Sequence, residues 1–298
     1  MISTPVRLLR LAFHLALLAQ PLASPATTVA NRWQVLGAGG GGALFHPTIS
    51  PHDPGFVLVG CDMTGTYVTH DGGQSWRMVN LQQITRQFVF DPLDPNVVYA
   101  RAGGLYRSAD RGRTWVLVYP SPATVRTYLA TGDHADITIV TNEQTRPRVT
   151  AFAIDPQDSA RLYATVQTAN EGELYVSDDS GARWMKTADC PAAALNVFID
   201  PASPIVDRTL YVTHAQGISI RQNGRWRTLG PPPEVGQVTS YAAGYDAAAR
   251  TFVIYAISGR SYFNPSDTAS GIFVTTDGGT TWTNVQDSLT SGQPAGAP

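Results

Sequence analysis

Four aspartates of this chain stand at the same distance before a tryptophan, so they could be catalytic acids or caps of their own turns. Each lies in the pattern hydroxyl, any residue, Asp, any residue, Gly, any residue, usually a hydroxyl, Trp. A turn Asp accepts N–H groups of its own backbone, and Gly adopts positive φ without steric cost. The pattern therefore predicts structural turns, here called Asp boxes. Their defining pairs are Asp71 and Trp76, Asp110 and Trp115, Asp179 and Trp184, and Asp277 and Trp282.

Signals for other chemistry are weak in this sequence. Residues 132–136 place one His between two Asp, which is a poor ligand set for a metal in a flexible loop. No Ser/His/Asp arrangement and no zinc-ligand spacing is present. The glycine run at residues 39–42 is not followed by a helical pattern, so it does not predict a phosphate-binding loop. We expect no metal and no cofactor.

The segments around the boxes also repeat, which indicates a repeat architecture. Apolar, β-branched runs and Asp-Pro turns precede the boxes, and a fifth, decayed copy ends at Trp226 without its Asp. The shorter tryptophan spacings match the propeller-blade period of roughly 40–50 residues. We predict an all-β fold, a β-propeller with about five four-stranded blades, with each box between the third and fourth strands.

The expected blades span residues 43–80, 86–119, 149–187, 195–229 and 238–286, within a propeller domain at 32–288. Residues 32–36 resemble a lone fourth strand that could close the ring, and residues 289–298 are expected to form a loose tail. Five blades could be a complete ring or part of a longer propeller. In a partial arc, the end blades would expose apolar sheet faces.

Bulk composition argues against two classes of partner. The net charge is −2, Lys186 is the only lysine, and the arginines are scattered along the chain, so nucleic-acid binding is not expected. After the first thirty residues no apolar run is long enough to span a membrane. Cys61 and Cys190 are distant in sequence, and the choice between a disulfide and two free thiols stays open, with free thiols slightly favoured.

The amino terminus resembles an export signal. Arg7 and Arg10 precede a largely apolar stretch, and small residues follow it. We expect a signal peptide at residues 1–26 and a secreted or periplasmic location. The alternatives are an uncleaved anchor or a start codon placed too early.

Strand order predicts which loops share a face. In an up-and-down blade, the loops between second and third strands lie with the connections between blades. These loops include residues 61–65, 101–104 and 214–217, and the longest connection spans residues 120–148. A rigid scaffold with long loops on one face is a common arrangement for ligand binding, so we expect function there.

The first part of the chain resembles the opening of glycoside hydrolase family 74, the xyloglucan-cleaving propellers. The matching features are Trp33, the glycine run at 39–42, His46-Pro47-Thr48, and Asp62 followed by Gly65 and Tyr67. The resemblance implies that Asp62 is one of two catalytic carboxylates of an inverting glycosidase. Members of that family have two seven-bladed propellers with one carboxylate from each, whereas this chain has five blades and one such motif.

A second carboxylate could come from the long connection, where Asp133, Asp136 and Glu143 are candidates; Glu171 and Glu173 are further options. All of these could instead be solvated loop acids, and Asp62 could cap a turn before Gly65. Candidate substrate-binding residues on the same face, with ring stacking from the tyrosines, are Arg101, Tyr128, His134, His214, Tyr241 and Tyr262. The aromatic ones could equally be loop anchors.

Two functions follow as hypotheses. The first is an exported propeller resembling family 74 that binds or cleaves a polysaccharide of the β-glucan or xyloglucan type. The second is a non-catalytic extracytoplasmic propeller that binds or assembles proteins, since sortilin-type receptors and photosystem assembly factors share the box repeat. Sialidases share it as well, but the start motif of sialidases is missing.

Overall fold

The computed structural model describes residues 37–38, 41–168, 171–190, 194–233, 235, 237–258 and 271–286. These residues form five four-stranded antiparallel sheets and one two-stranded sheet. The predicted β-propeller of five blades is therefore confirmed. The predictions of a signal peptide, of a closing strand at 32–36 and of a loose tail concern residues outside the described ones.

Within each blade, the four strands are consecutive in sequence and adjacent in the sheet. Blade one contains β1 (Leu44–Ile49), β2 (Val57–Cys61), β3 (Gly65–Thr69) and β4 (Arg77–Met78). Blade two contains β5 (Gln87–Phe90), β6 (Val98–Arg101), β7 (Leu105–Ser108) and β8 (Val116–Tyr119). Between blades two and three lie β9 (Val125–Ala130) and β10 (Ile137–Thr141).

The remaining blades follow the same order. Blade three contains β11 (Arg148–Asp155), β12 (Asp158–Thr168), β13 (Glu171–Ser177) and β14 (Met185–Cys190). Blade four contains β15 (Asn196–Ile199), β16 (Leu210–His214), β17 (Gly217–Gln222) and β18 (Arg225–Leu229). Blade five contains β19 (Ser240–Asp246), β20 (Thr251–Ser258), β21 (Gly271–Thr275) and β22 (Thr283–Asn284). Two 3-10 helices span Pro122–Thr124 and Ile205–Asp207.

Each Asp box forms the turn between the third and fourth strands. In blade two, Asp110 Oδ1 accepts the Thr114 N–H at 2.9 Å, and its Oδ2 accepts the Thr114 hydroxyl at 2.6 Å. The Ser108 hydroxyl oxygen accepts the Gly112 N–H at 2.9 Å, and the indole of Trp115 donates to the Gly112 carbonyl at 3.1 Å. Asp71, Asp179 and Asp277 accept the corresponding backbone N–H in their own turns. These carboxylates are thus used by their own backbone.

Four clusters of apolar side chains fill the interfaces between consecutive blades. The tryptophan that ends each box or decayed box packs against the preceding blade, as Trp115, Trp184, Trp226 and Trp282 do in turn. Trp76 of blade one is half-buried and lies outside these four clusters. The box tryptophan is therefore a contact between blades as well as a turn anchor.

In blades two and three, a tyrosine of the second strand packs against the following blade. Tyr99 pairs with Arg107, and Tyr163 and Tyr255 hold the matching register positions in blades three and five. Tyr99 and Tyr163 are buried in an interface with the following blade, whereas Tyr255 is 44% exposed. Within the described ranges, no core cluster joins blade five to blade one. The described residues therefore contain four packed interfaces between blades.

The connection at residues 120–148 is structured, although the sequence indicated only a long loop. The β9–β10 hairpin is in antiparallel register from Ala130 opposite Ile137 to Thr127 opposite Val140.

Both cysteine thiols are free, with Cys61 buried and Cys190 partly buried. No helix in the described part of the chain is long and apolar enough to cross a bilayer.

Candidate functional site

The tip of the β9–β10 hairpin is fastened to blades one and two on the face where function was expected. The Ala135 N–H donates to the Asp62 carbonyl at 2.7 Å, and the Ala135 carbonyl accepts the Ile84 N–H at 3.1 Å. A Cβ at Gly103 would lie 2.5 Å from the Ile137 carbonyl, so the loop after β6 needs a glycine there. The structure thereby brings the hairpin tip together with three other segments that are distant from it in sequence.

Asp62 lies beneath the glycine-rich segment that precedes β1. Its Oδ1 accepts the Ala43 N–H at 2.8 Å, and its own N–H donates to the Ala43 carbonyl at 3.2 Å. Gly42 has φ of 101°, and a Cβ there would lie 2.5 Å from Asp62 Oδ1. The glycine thus permits the close backbone approach that the carboxylate needs. Oδ2 of Asp62 has no hydrogen-bond partner among the described residues.

The three acids proposed as partners of Asp62 occupy different surroundings. Asp136 is half-buried and follows Ala135, which contacts Asp62 directly. Asp133 is 89% exposed and bonds to His134 Nδ1 at 2.7 Å, and this bond lowers the pKa of its carboxyl. Glu143 lies beyond the far end of β10, in a different pocket. Of the three acids, Asp136 follows the residue that contacts Asp62, and it lines a different pocket from Glu143.

The pocket that contains Glu143 lies between the long connection and blade three and has a volume of about 900 Å³. Glu173 lines it too, but its carboxylate accepts the Lys186 ammonium at 2.7 Å and the Tyr175 hydroxyl at 3.0 Å. An acid held in this way is a structural ion-pair partner. The side chain of Glu171 lies outside the described ones.

The residues proposed for substrate binding separate into two groups. Tyr128 is 52% exposed on β9, and His134 is exposed at the hairpin tip. Tyr241 is only 5% exposed, and its hydroxyl donates to the carbonyls of His214 and Gly217 at 3.2 Å each. His214 is buried as well, and burial lowers the pKa of its imidazole. Buried rings cannot stack on a sugar, so Tyr241 has the geometry of a loop anchor. Tyr262 lies outside the described residues.

A cavity of about 410 Å³ opens between blades two and three beneath the hairpin. Sequence reasoning missed it, because its basic residues come from three separate segments. Its charged lining consists of Arg86, Arg101, Arg146, Arg148 and Asp136. The expectation that the arginines are scattered holds along the chain but is wrong in space, since the fold collects four of them here. The sequence did contain a signal for this cluster. Arg86 precedes the first strand of blade two, Arg101 ends its second strand, Arg148 begins the first strand of blade three, and Arg146 lies in the long connection.

Arg101 is the least exposed of these arginines. Its Nε donates to Gln87 Oε1 at 3.2 Å and its Nη1 to the Val149 carbonyl at 3.4 Å. Burial, followed by the charges of Arg86 and Arg148, lowers the pKa of its guanidinium to about 10. His46 faces the same charges, since burial and then Arg101 and Arg86 lower its pKa. The cavity is therefore an electropositive site.

The fold and its turns define the class of this protein as an Asp-box β-propeller. The family model described as BNR/Asp-box repeat matches residues 67–78, which contain the first box. The particular relatives are xyloglucan-cleaving enzymes. A xyloglucanase of Paenibacillus sp is 27% identical over 285 residues, which cover 88% of this chain and 22% of the relative. A xyloglucanase of Acetivibrio thermocellus is 27% identical over 199 residues, or 59% of this chain and 21% of the relative.

Among solved structures, an ancestral glycoside hydrolase family 74 (GH74) enzyme superposes with a TM-score of 0.61 at 20% identity. The superposition covers 87% of this chain and 33% of that enzyme. The chain spans about a fifth of the length of the curated relatives it matches. It is thus an Asp-box propeller that resembles part of a GH74 enzyme.

Proposed function

We propose that this chain is an extracytoplasmic propeller that binds a β-glucan of the xyloglucan type on its hairpin face and cleaves it with Asp62 and Asp136. The observation that carries the proposal is the contact of Ala135 with the Asp62 carbonyl, because it seats the Asp136 loop beside Asp62. The resemblance to xyloglucanases supports the choice of ligand. The export-signal pattern at residues 1–26 supports the location.

The proposed chemistry is inverting glycoside hydrolysis. One carboxylic acid protonates the leaving oxygen, and a carboxylate roughly 6.5–9.5 Å away activates a water on the opposite side of the sugar. Asp62 Oδ1 is held by the Ala43 N–H, which fixes the side chain and leaves Oδ2 for that water. Asp136 lines the open cavity and would serve as the acid.

A second candidate is a propeller that binds its partner without cleaving it. The hydrogen bond from Ala43 to Asp62 favours this candidate, because a turn-capping Asp makes the same bond. The partner would then be a glycan or a protein held on the same face.

Hydrolysis of xyloglucan and of mixed-linkage glucan by the full chain tests these proposals. Asp62→Asn keeps an oxygen for the Ala43 N–H, so its fold should persist while activity falls by about 10²-fold or more. Asp136→Asn should show a similar loss. Glu143→Gln is the matched control, since Glu143 lies in the other pocket and should leave the rate unchanged.

Each result separates the candidates. If the parent chain binds glucan without hydrolysing it, the result would support the non-catalytic function and contradict the catalytic one. Hydrolysis that Asp62→Asn leaves intact would remove Asp62 from the mechanism. Failure to bind either glucan would contradict the glycan assignment.

A further inference from the structure

We propose that the four-arginine cavity is a carboxylate-binding subsite, which selects glycans that carry a uronate residue. The cavity is lined by Arg86, Arg101, Arg146 and Arg148. This inference rests on the proposed glycan-binding function and adds the substrate class. Neither the box repeats nor the Asp62 motif contains these arginines.

The arrangement of the arginines is built by the fold. Arg86 and Arg101 are linked through the backbone, because the Arg86 N–H donates to the Arg101 carbonyl at 2.8 Å. Arg148 begins β11 of blade three, and the Arg101 guanidinium donates to the carbonyl of its neighbour Val149. The backbone of two adjacent blades therefore places the three arginines around one opening.

The positive charge of this cavity is not neutralised by the protein. Among the described residues, none of the four guanidinium groups forms an ion pair with a carboxylate within 4.0 Å, although Asp136 lines the same cavity. Five arginines elsewhere in the described part of the chain form ion pairs, among them Arg111 with Asp53 and Arg208 with Asp155. Like charges gathered in one cavity repel each other, and a bound anion would remove that cost.

The chemistry of the donors favours a carboxylate. A guanidinium presents a planar fork that matches the two oxygens of a carboxylate. The Gln87 oxygen and the Val149 carbonyl orient Arg101, and no other described residue accepts a hydrogen bond from its Nη atoms. The cavity volume of about 410 Å³ lies within the roughly 300–1,000 Å³ of small-ligand sites. A uronate ring placed here would lie beside the loop that carries Asp136.

Calorimetric titration of the full chain tests the subsite. The probes are an oligogalacturonate, the same oligosaccharide fully methyl-esterified, and a neutral xyloglucan oligosaccharide. The acidic oligosaccharide should bind about tenfold or more tightly than its ester, because the ester has lost the charge that the arginines recognise. This preference should weaken as salt rises from 0.05 to about 0.5 M, since salt screens exposed charges.

Variants assign the effect to the cavity. Arg86→Gln and Arg148→Gln change exposed side chains, so the fold should persist, and each should weaken oligogalacturonate binding by about tenfold. Arg225→Gln is the control, because Arg225 is exposed on β18 of blade four, away from the cavity. Binding of the neutral oligosaccharide should change little in all three variants.

Three results would overturn the inference. These are equal affinity for the acid and its ester, equal losses in Arg148→Gln and Arg225→Gln, or selective binding of a peptide with a free carboxyl terminus in place of the oligogalacturonate. Binding of neutral xyloglucan without preference for the acid would refute the subsite and leave the proposed glycan function standing. Arginine-dependent uronate binding without glucan hydrolysis would keep the subsite and reject the catalytic pair.

Discussion

Arg208 donates hydrogen bonds to both carboxylate oxygens of Asp155 across the interface of blades three and four. Its Nε lies 2.6 Å from Oδ2, its Nη2 lies 2.8 Å from Oδ1, and both side chains are fully buried. This Asp is the last residue of β11 and is followed by Pro156. Other interfaces carry related links, since Arg111 bonds to Asp53 between blades one and two. Polar bonds at blade edges thus join sheets whose centres are apolar.

Breaking this buried pair should destabilise the chain strongly. Arg208→Met leaves a buried carboxylate without a counter-charge. We expect the free energy of unfolding, measured in urea, to be about 3–5 kcal/mol lower than in the parent. Adding Asp155→Asn should restore part of the loss, because the amide oxygen can still accept the Gln157 N–H. A single-variant effect below about 1 kcal/mol would contradict the role of the pair.

The box tryptophans should differ in their contribution to stability. Trp115 is 5% exposed and packs between two blades, so Trp115→Ala should lower the free energy of unfolding by about 3–5 kcal/mol. Trp76 is half-buried, so Trp76→Ala should lower the free energy of unfolding by less than Trp115→Ala does. Urea unfolding of the two variants gives the comparison. Equal losses would show that blade one is packed on its other face as well.

The Asp boxes should make stability depend on pH in acid. Hydrogen bonds from the Thr281 hydroxyl and N–H lower the pKa of Asp277 from 3.8 to about 2, and bonds from Ser75 and Thr69 lower that of Asp71. A carboxyl with a lowered pKa in the folded state adds stability above its unfolded pKa. That stability is lost as the pH falls from about 4 to about 2.

Urea midpoints measured between pH 5 and pH 2 test this dependence. The midpoint should fall in that range, and the Asp277→Asn variant should show a shallower fall because one linked group is gone. If the urea midpoint of the variant falls with pH as steeply as that of the parent, protonation of Asp277 is not linked to folding.

The two cysteines should react slowly in the folded protein and fully once it is unfolded. Burial, with the charges of Asp189 and Glu173 next, raises the pKa of the Cys190 thiol to about 12. Cys61 is buried in blade one. A thiol reagent at pH 8 should label the folded chain slowly and detect two thiols per chain in denaturant without reductant. Detection of none would indicate a disulfide.

The architecture could be predicted from the sequence because the box is a local structure. Asp110 bonds to residues three and four positions away, and Ser108 bonds to Gly112. Interactions at such short separation depend on residue types and order alone. The same holds for the decayed box at Trp226, where a strand pair survives without the Asp.

The candidate site could be predicted only in part. The sequence singled out Asp62 and the long connection, but it could not choose among Asp133, Asp136 and Glu143. The proposal of Asp136 depends on the contact between Ala135 and Asp62, which are separated by more than seventy positions. Tyr241 carries the residue type of a stacking platform, yet its burial follows from the packing of blade five on blade four.

The blade count, the place of each box and the strand order could be predicted from the residues alone, because they follow from short-range hydrogen bonds and alternating apolar patterns. The shared cavity of Arg86, Arg101, Arg146 and Arg148 follows from the tertiary structure alone. Their side chains meet because adjacent blades align strand ends from separate segments. The clustering of these arginines depends on that alignment, and their spacing along the chain is not periodic.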